Sequence, residues 1–191
     1  HAAQRPEAPA LREKEYGIWQ TLTWRDLATM VRALAGGLAA AGLSHGDHVV
    51  VVGENRPRLY ATMRAAQSLG AVPVPPYQDA VAAEFVFPIN NAEVAFAVVE
   101  DQEQVDKLLE IRPQCPQLAQ IWYDDPRGLR NYSEPGVASV DALIEANLKQ
   151  RIRVVASGKL VTSAKAAWAL CVGADFVNTA RGFMFALGCI Q

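Results

Sequence analysis

Apolar positions along the first 140 residues fall into alternating helix-like and strand-like periods. In "TLTWRDLATMVRALAGGLAAAGL", Leu27, Met30, Val31, Leu34 and Leu38 recur at three- and four-residue intervals, which places them on one face of a helix. Thr23 stands at the N-cap position and Asp26 follows three residues later, the spacing of a reciprocal cap. The run "GDHVVVVGEN" is continuously apolar between turn residues and predicts a strand buried on both faces. Leu59, Met63, Ala66 and Leu69 give the next helix its stripe. "GAVPVPPY" is a short extended segment, because its prolines forbid a helix and cannot donate within a sheet. A helix from Asp79, the strand "VAFAVVE", the helix "DQEQVDKLLEI" and the strand "QIWYD" follow, with Pro88 predicting a break or kink in "FVFPINNAE". Strands alternating with helices imply an α/β fold with a largely parallel sheet flanked by helices.

The rhythm changes at "DDPRGLRNYSEPGVAS", a polar, turn-rich loop. After the helical patch "VDALIEANLKQ" comes a second alternation: strand "IRVVAS", helix "SAKAAWALCVG", strand "ADFVNT", turn "ARG" and the apolar "FMFALGCI". No internal repeat links the two parts.

Composition narrows the function classes. The chain is 51% hydrophobic and 20% charged, as expected of a globular protein. A formal charge of −2 excludes a surface built for nucleic acid or anionic lipid, which needs a clustered basic excess. No apolar run is long enough to span a membrane. Cys115, Cys171 and Cys189 are odd in number and far apart, so neither a disulfide framework nor a CxxC metal site is visible, and a reducing, cytoplasmic setting is expected. Cys115 reads as a loop thiol, Cys171 as a core position, and Trp19, Trp24 and Trp122 as packing residues. His45 and His48 have metal-like spacing but no third ligand, and read as solvated turn residues. The opening lacks an initiator Met and the chain stops inside the apolar "FALGCIQ", so both ends read as cut.

The segment "LTWRDLATMVRALAGGLAAAGLSHGDHVVVVGENRPRLYATMRAAQSLGAVPVPPY" resembles the N-terminal region of the AMP-forming acyl-CoA synthetases, with "LTWRDL" and "AAQSLGAVPVPPY" similar to that family's first two core motifs. "YQDAVAAEFVFPINNAEVAFAVVEDQEQVDKLLEI" and "WYDDPRGLR" resemble its long-chain fatty acyl branch. The resemblance implies a parent that joins fatty acid to coenzyme A through an acyl adenylate, using ATP and Mg. In that family catalysis rests on a Lys-bearing Ser/Thr/Gly-rich phosphate loop, acidic and aromatic residues around the adenylate, and a Lys on a mobile C-terminal domain. Nothing like "SGTTGxPKG" occurs among these 191 residues. No catalytic residue is therefore assigned, and this part is expected to be inactive alone.

"VVASGKLVTSAK" looks like a phosphate loop but is no Walker A motif, since Arg153 and Leu160 stand where Gly and Ser/Thr are required. From about residue 147 the chain resembles the C-terminal end of the glutamate synthase FMN-binding barrel, that is, the last two βα units of a TIM-type barrel. The resemblance implies an FMN phosphate region at Ser157, Gly158 and Lys159 and at Ala180, Arg181 and Gly182. The loops after the last two barrel strands commonly hold phosphate. Cys189 matches the first of three iron–sulfur ligands, and no later residue supplies the other two. With six barrel strands missing, the phosphate loops are expected to be vestigial and no cofactor to be bound stably.

The sequence thus reads as a truncated chimera: residues 1–146 from an acyl-CoA synthetase N-terminal subdomain, residues 147–191 from a glutamate synthase barrel, joined within "VDALIEANLK". Small-molecule substrates belong to the complete parents. An FMN-binding oxidoreductase remnant and a non-catalytic α/β interaction module are the alternatives.

Overall fold

Thr23 and Asp26 cap the first helix reciprocally. The Asp26 N–H donates to Thr23 Oγ1 at 3.2 Å and the Thr23 N–H to Asp26 Oδ2 at 3.0 Å. Helix α1 (Trp24–Ala40) then buries Leu34, Gly37 and Leu38. It is preceded by an antiparallel hairpin, β1 (Pro9–Glu15) and β2 (Ile18–Thr23). Tyr16 and Gly17 form its two-residue turn with φ of 47° and 81°, both positive as a type I′ turn demands.

The computed structural model describes residues 1–151, 155–157, 162–171 and 176–178, and divides into two units, His1–Asn147 and Leu148–Gln191. The first is built on a parallel five-stranded sheet of order β4-β3-β5-β6-β7. Its strands are β3 (His48–Val52), β4 (Val72–Val74), β5 (Phe96–Val99), β6 (Gln120–Tyr123) and β7 (Val137–Ser139). Helices α2 (Pro57–Ser68), α3 (Ala82–Asn91), α4 (Gln102–Ile111) and the start of α5 (Val140–Arg151) flank it.

Strand alternation divides the core. Val50, Val52, Ala97, Val99 and Ile121 pack with Phe85 and Ile89 of α3 and Val105 and Leu108 of α4. Val49, Val51, Val98 and Trp122 pack with Leu34 and Leu38 of α1, Ala65 of α2 and Val140 and Leu143 of α5. The α1–α5 approach requires Gly37, because a Cβ there would lie 2.7 Å from the Leu143 carbonyl oxygen. Pro73 sits in the three-residue edge strand β4, where its missing N–H leaves few ladder bonds unmade.

Four expectations change. Helix α3 starts at Ala82 rather than Asp79 and runs on through Pro88. Phe85 and Ile89, both buried, hold the helix across the bond that Pro88 cannot make to Glu84, an exposed residue. Cys115 lies in the connection between α4 and β6, as expected of a loop thiol, but is buried in the core, and burial raises its thiol pKa. Cys171 is exposed, not core. Trp19 is 60% exposed rather than packed.

In the second unit β8 (Val155–Ser157) and β9 (Phe176–Asn178) pair in parallel, with α6 (Ser163–Cys171) between them in the chain. This is one βαβ unit. Among the described residues no helix is long and apolar enough to cross a membrane.

Candidate functional site

The chain leaves β3 for β4 on one side and returns to β5 on the other, so the sheet changes winding direction between β3 and β5. In open α/β sheets ligands bind outside the carboxyl ends of the strands at such a point. Here three of the five strands are followed by polar residues: Glu54–Arg56 shortly after β3, Glu100 after β5, Asp124 and Asp125 after β6.

Glu100 occupies the centre. Its carboxylate accepts the Glu54 N–H on Oε2 at 2.5 Å and Arg56 Nε on Oε1 at 2.8 Å. It is only 8% exposed. Gly53, at φ 152°, lets the two strand ends meet, since a Cβ would lie 2.5 Å from Glu100 Cβ. Arg56 also approaches Glu13 of the hairpin at 3.6 Å, and its bond to Glu100 is the chief reason its pKa lies above the ordinary value.

A second arginine ties three elements together. Arg58, in the first turn of α2, donates to Asp124 Oδ1 at 2.8 Å and to Asp141 Oδ1, at the start of α5, at 2.5 Å. Burial disfavours its charge, yet the two carboxylates outweigh that and raise its pKa. Burial also raises the Asp124 carboxyl, against the opposing pull of Arg58. Beyond them Arg127 is bound to Asp125, whose pKa it lowers, and lies 5.9 Å from the centre of the Tyr16 ring at the hairpin tip.

Two hollows flank this ionic centre. One, of about 540 Å³, lies between the hairpin, Arg58 and the Asp124–Arg127 loop. The other, of about 780 Å³, lies between β1–β2, the Gly53–Arg56 turn and the Pro75–Asp79 segment. In the α3–α4 layer behind the latter, Gln78 O accepts Lys107 Nζ at 2.7 Å, while Gln78 Oε1 and Gln104 Oε1 are buried without a donor.

The phosphate-loop residues singled out from the sequence belong to the second unit. Ser157 ends β8 and pairs with Asn178 at the end of β9, so those two strands finish side by side. Gly158, Lys159, Ala180, Arg181, Gly182 and Cys189 lie outside the described residues. Among the described residues no three His, Cys, Asp or Glu side chains gather as a metal site, and His45 packs its ring against Gly70. Sequence reasoning missed Arg56, Arg58, Glu100 and Asp124. A signal for them exists: "VVVVGENRPR", "FAVVED" and "IWYDD" each place charge directly after a buried strand.

Comparisons with known proteins agree with both parts of the chain. A model of the AMP-binding enzyme family matches residues 1–158, and a model of a conserved region in glutamate synthase matches residues 133–191. The uncharacterized protein Rv1549 of Mycobacterium tuberculosis is 36% identical over 107 residues, covering 56% of this chain and 59% of that protein. The glutamate synthase large subunit-like protein YerD of Bacillus subtilis is 53% identical over 53 residues, covering 27% of this chain and 10% of YerD. The long-chain-fatty-acid–CoA ligase FadD15 of M. tuberculosis is 30% identical over 128 residues, covering 65% of this chain and 21% of FadD15. This chain thus spans less than two thirds of each of these relatives. The coronafacic acid ligase of Pectobacterium brasiliense shares the fold, with a TM-score of 0.66 over 75% of this chain and 27% of the ligase at 22% identity. With the match extending over residues 1–158, the chain belongs to the AMP-binding enzyme family, related to the acyl-CoA ligases.

Proposed function

We propose that this chain carries the N-terminal architecture of an acyl-CoA ligase and does not by itself activate a fatty acid. The observation that carries the reading is the state of the rim: Arg56 is bound to Glu100, Arg58 to Asp124 and Asp141, and Arg127 to Asp125. Each of these cations is committed to a carboxylate of the chain. Adenylation needs donors and cations that stabilise charge developing on the leaving pyrophosphate, and no Lys-bearing Ser/Thr/Gly-rich loop stands among these residues to supply them. On the pattern of FadD15, a complete parent would take a long-chain fatty acid, ATP with Mg, and coenzyme A.

In this reading residues 1–146 are the ligase-derived domain and residues 147–191 the glutamate synthase-derived one. The pairing of β7 with β6 and the burial of Val140 and Leu143 in the first unit support a join beyond Leu143. Exchange of labelled pyrophosphate into ATP, with a long-chain fatty acid, tests the reading. It predicts background exchange, and acid-dependent exchange overturns it.

A second reading applies to residues 147–191 and is favoured by their likeness to YerD. In this reading they derive from an FMN barrel, and residues 157–159 and 180–182 from its flavin phosphate site. The remnant holds no flavin stably. Purification of a yellow protein, whose flavin is lost on Gly158→Asp, would overturn that and make the segment a working flavin site. If neither ligand binds, the chain acts as a non-catalytic α/β module.

A further inference from the structure

The 780 Å³ hollow beside the ionic centre has the size of a small-molecule pocket. One wall is a face of the hairpin. Arg12 pairs with Thr21 and Lys14 with Trp19 across the strands, and residues two apart on a strand share a face, so Arg12, Lys14 and Trp19 stand together. The Arg12 guanidinium carbon lies 5.4 Å from the centre of the Trp19 ring. Pro76 and Tyr77, the latter 71% exposed, and Asn55 also line the hollow.

The charges around the hollow are not equivalent. Glu13 is engaged by Arg56, and the Asp79 carboxylate beside the Tyr77 hydroxyl raises that hydroxyl's pKa. Arg12 and Lys14 make no ion pair among the described residues. Asn55 Oδ1 accepts the Tyr60 hydroxyl, so the amide N–H groups are what Asn55 has to offer a ligand. The hollow therefore combines two exposed aromatic side chains, one of them with Arg12 over one face, two cations without carboxylate partners and an amide donor. Glu54, exposed on its rim, disfavours a ligand with more than a single negative charge.

We infer that this hollow binds a flat aromatic monoanion, its ring system laid between Trp19 and Tyr77 and its carboxylate directed at Arg12 and Lys14. The hollow borders the Glu100–Arg56 centre through Arg56, whose guanidinium is held by Glu100. The inference does not draw on the ligase reading, and its failure leaves that reading intact.

The test is titration of the full chain with 2-naphthoate by calorimetry and ligand-observed NMR. Two controls are 2-naphthylmethanol, which keeps the rings without the charge, and cyclohexanecarboxylate, which keeps the charge without the rings. Saturable binding of naphthoate is expected at or below about 1 mM, with each control weaker by about tenfold. Trp19→Leu and the double change Arg12→Gln with Lys14→Gln should each weaken naphthoate about tenfold. Phe87→Ser, on the exposed face of α3 away from the hollow, should leave it unchanged. All these side chains are exposed, so the variants are expected to keep the parent melting curve. If Trp19→Leu alters the hairpin, Tyr77→Leu, outside the hairpin, makes the same test. Absence of saturable binding, equal binding of the neutral alcohol, or binding insensitive to the hairpin and Tyr77 changes overturns the inference.

Discussion

Replacing Glu100 with Ala tests whether the ionic centre holds the carboxyl ends of β3 and β5 together. The Glu100 carboxylate accepts the Glu54 N–H at 2.5 Å and Arg56 Nε at 2.8 Å while remaining 8% exposed. Breaking a buried pair by deleting one partner costs about 3–5 kcal/mol when the remaining charge is stranded. Arg56 is not fully stranded here, because its side chain is 32% exposed and Glu13 lies 3.6 Å away. The expected loss is therefore smaller, about 2–3 kcal/mol, and most of it comes from the unpaired Glu54 N–H and the lost charge-assisted bond. For a chain of this size that corresponds to a fall in Tm of about 5–10 °C. Glu100→Gln keeps one acceptor and should lose about half as much. Calorimetric and urea melts of the two variants make the measurement. An alanine variant within about 0.5 kcal/mol of the parent would show that the strand ends are held by packing alone.

Three other outcomes follow from particular contacts. Gly37→Ala gains helix propensity of about 1 kcal/mol, but its Cβ would meet the Leu143 backbone oxygen at 2.7 Å. A net loss of about 1–2 kcal/mol is expected in urea melts, and a stabilised variant would contradict the α1–α5 contact. Thr23→Ala removes the reciprocal cap and should cost about 1 kcal/mol while Thr23→Ser costs little, by the same melts. Burial raises Asp124, so ionising it disfavours the folded state: its contribution to stability is greatest in acid and declines as pH rises through its unfolded value to its folded one. Asp125, lowered by Arg127, and Asp26, lowered by Thr23, work the other way and lose their stabilisation as pH falls. Asp124→Asn should therefore lose stability more steeply than the parent between about pH 6 and 3, and an equal or shallower slope would contradict that assignment.

How far the fold could be read from sequence depended on whether a segment's partner was local. The cap at Thr23, the stripe of α1 and the apolar run of β3 are local signals, and each forms the expected element. The hairpin lacks an apolar alternation that marks it as two strands, although "REKEYGIW" carries a two-residue turn with Gly at its second position. Strand β7 lies within a stretch that reads as loop, because three residues of intermediate burial become a strand only by pairing with β6. Pro88 was expected to end a helix that Phe85 and Ile89 hold through burial. The rim residues were missed for a similar reason. Arg58, Asp124 and Asp141 are 66 and 83 positions apart along their two bonds, and only the sheet brings them together. The family resemblance, by contrast, was legible because it extends over most of the chain, and the model match over residues 1–158 agrees with it.

The central claim is that the chain keeps a ligase N-terminal architecture without adenylation chemistry. Pyrophosphate–ATP exchange by the purified chain, with and without a long-chain fatty acid, tests it most directly. The account predicts the same background rate in both cases. A rate that rises with the acid and falls when ATP is withheld would contradict it.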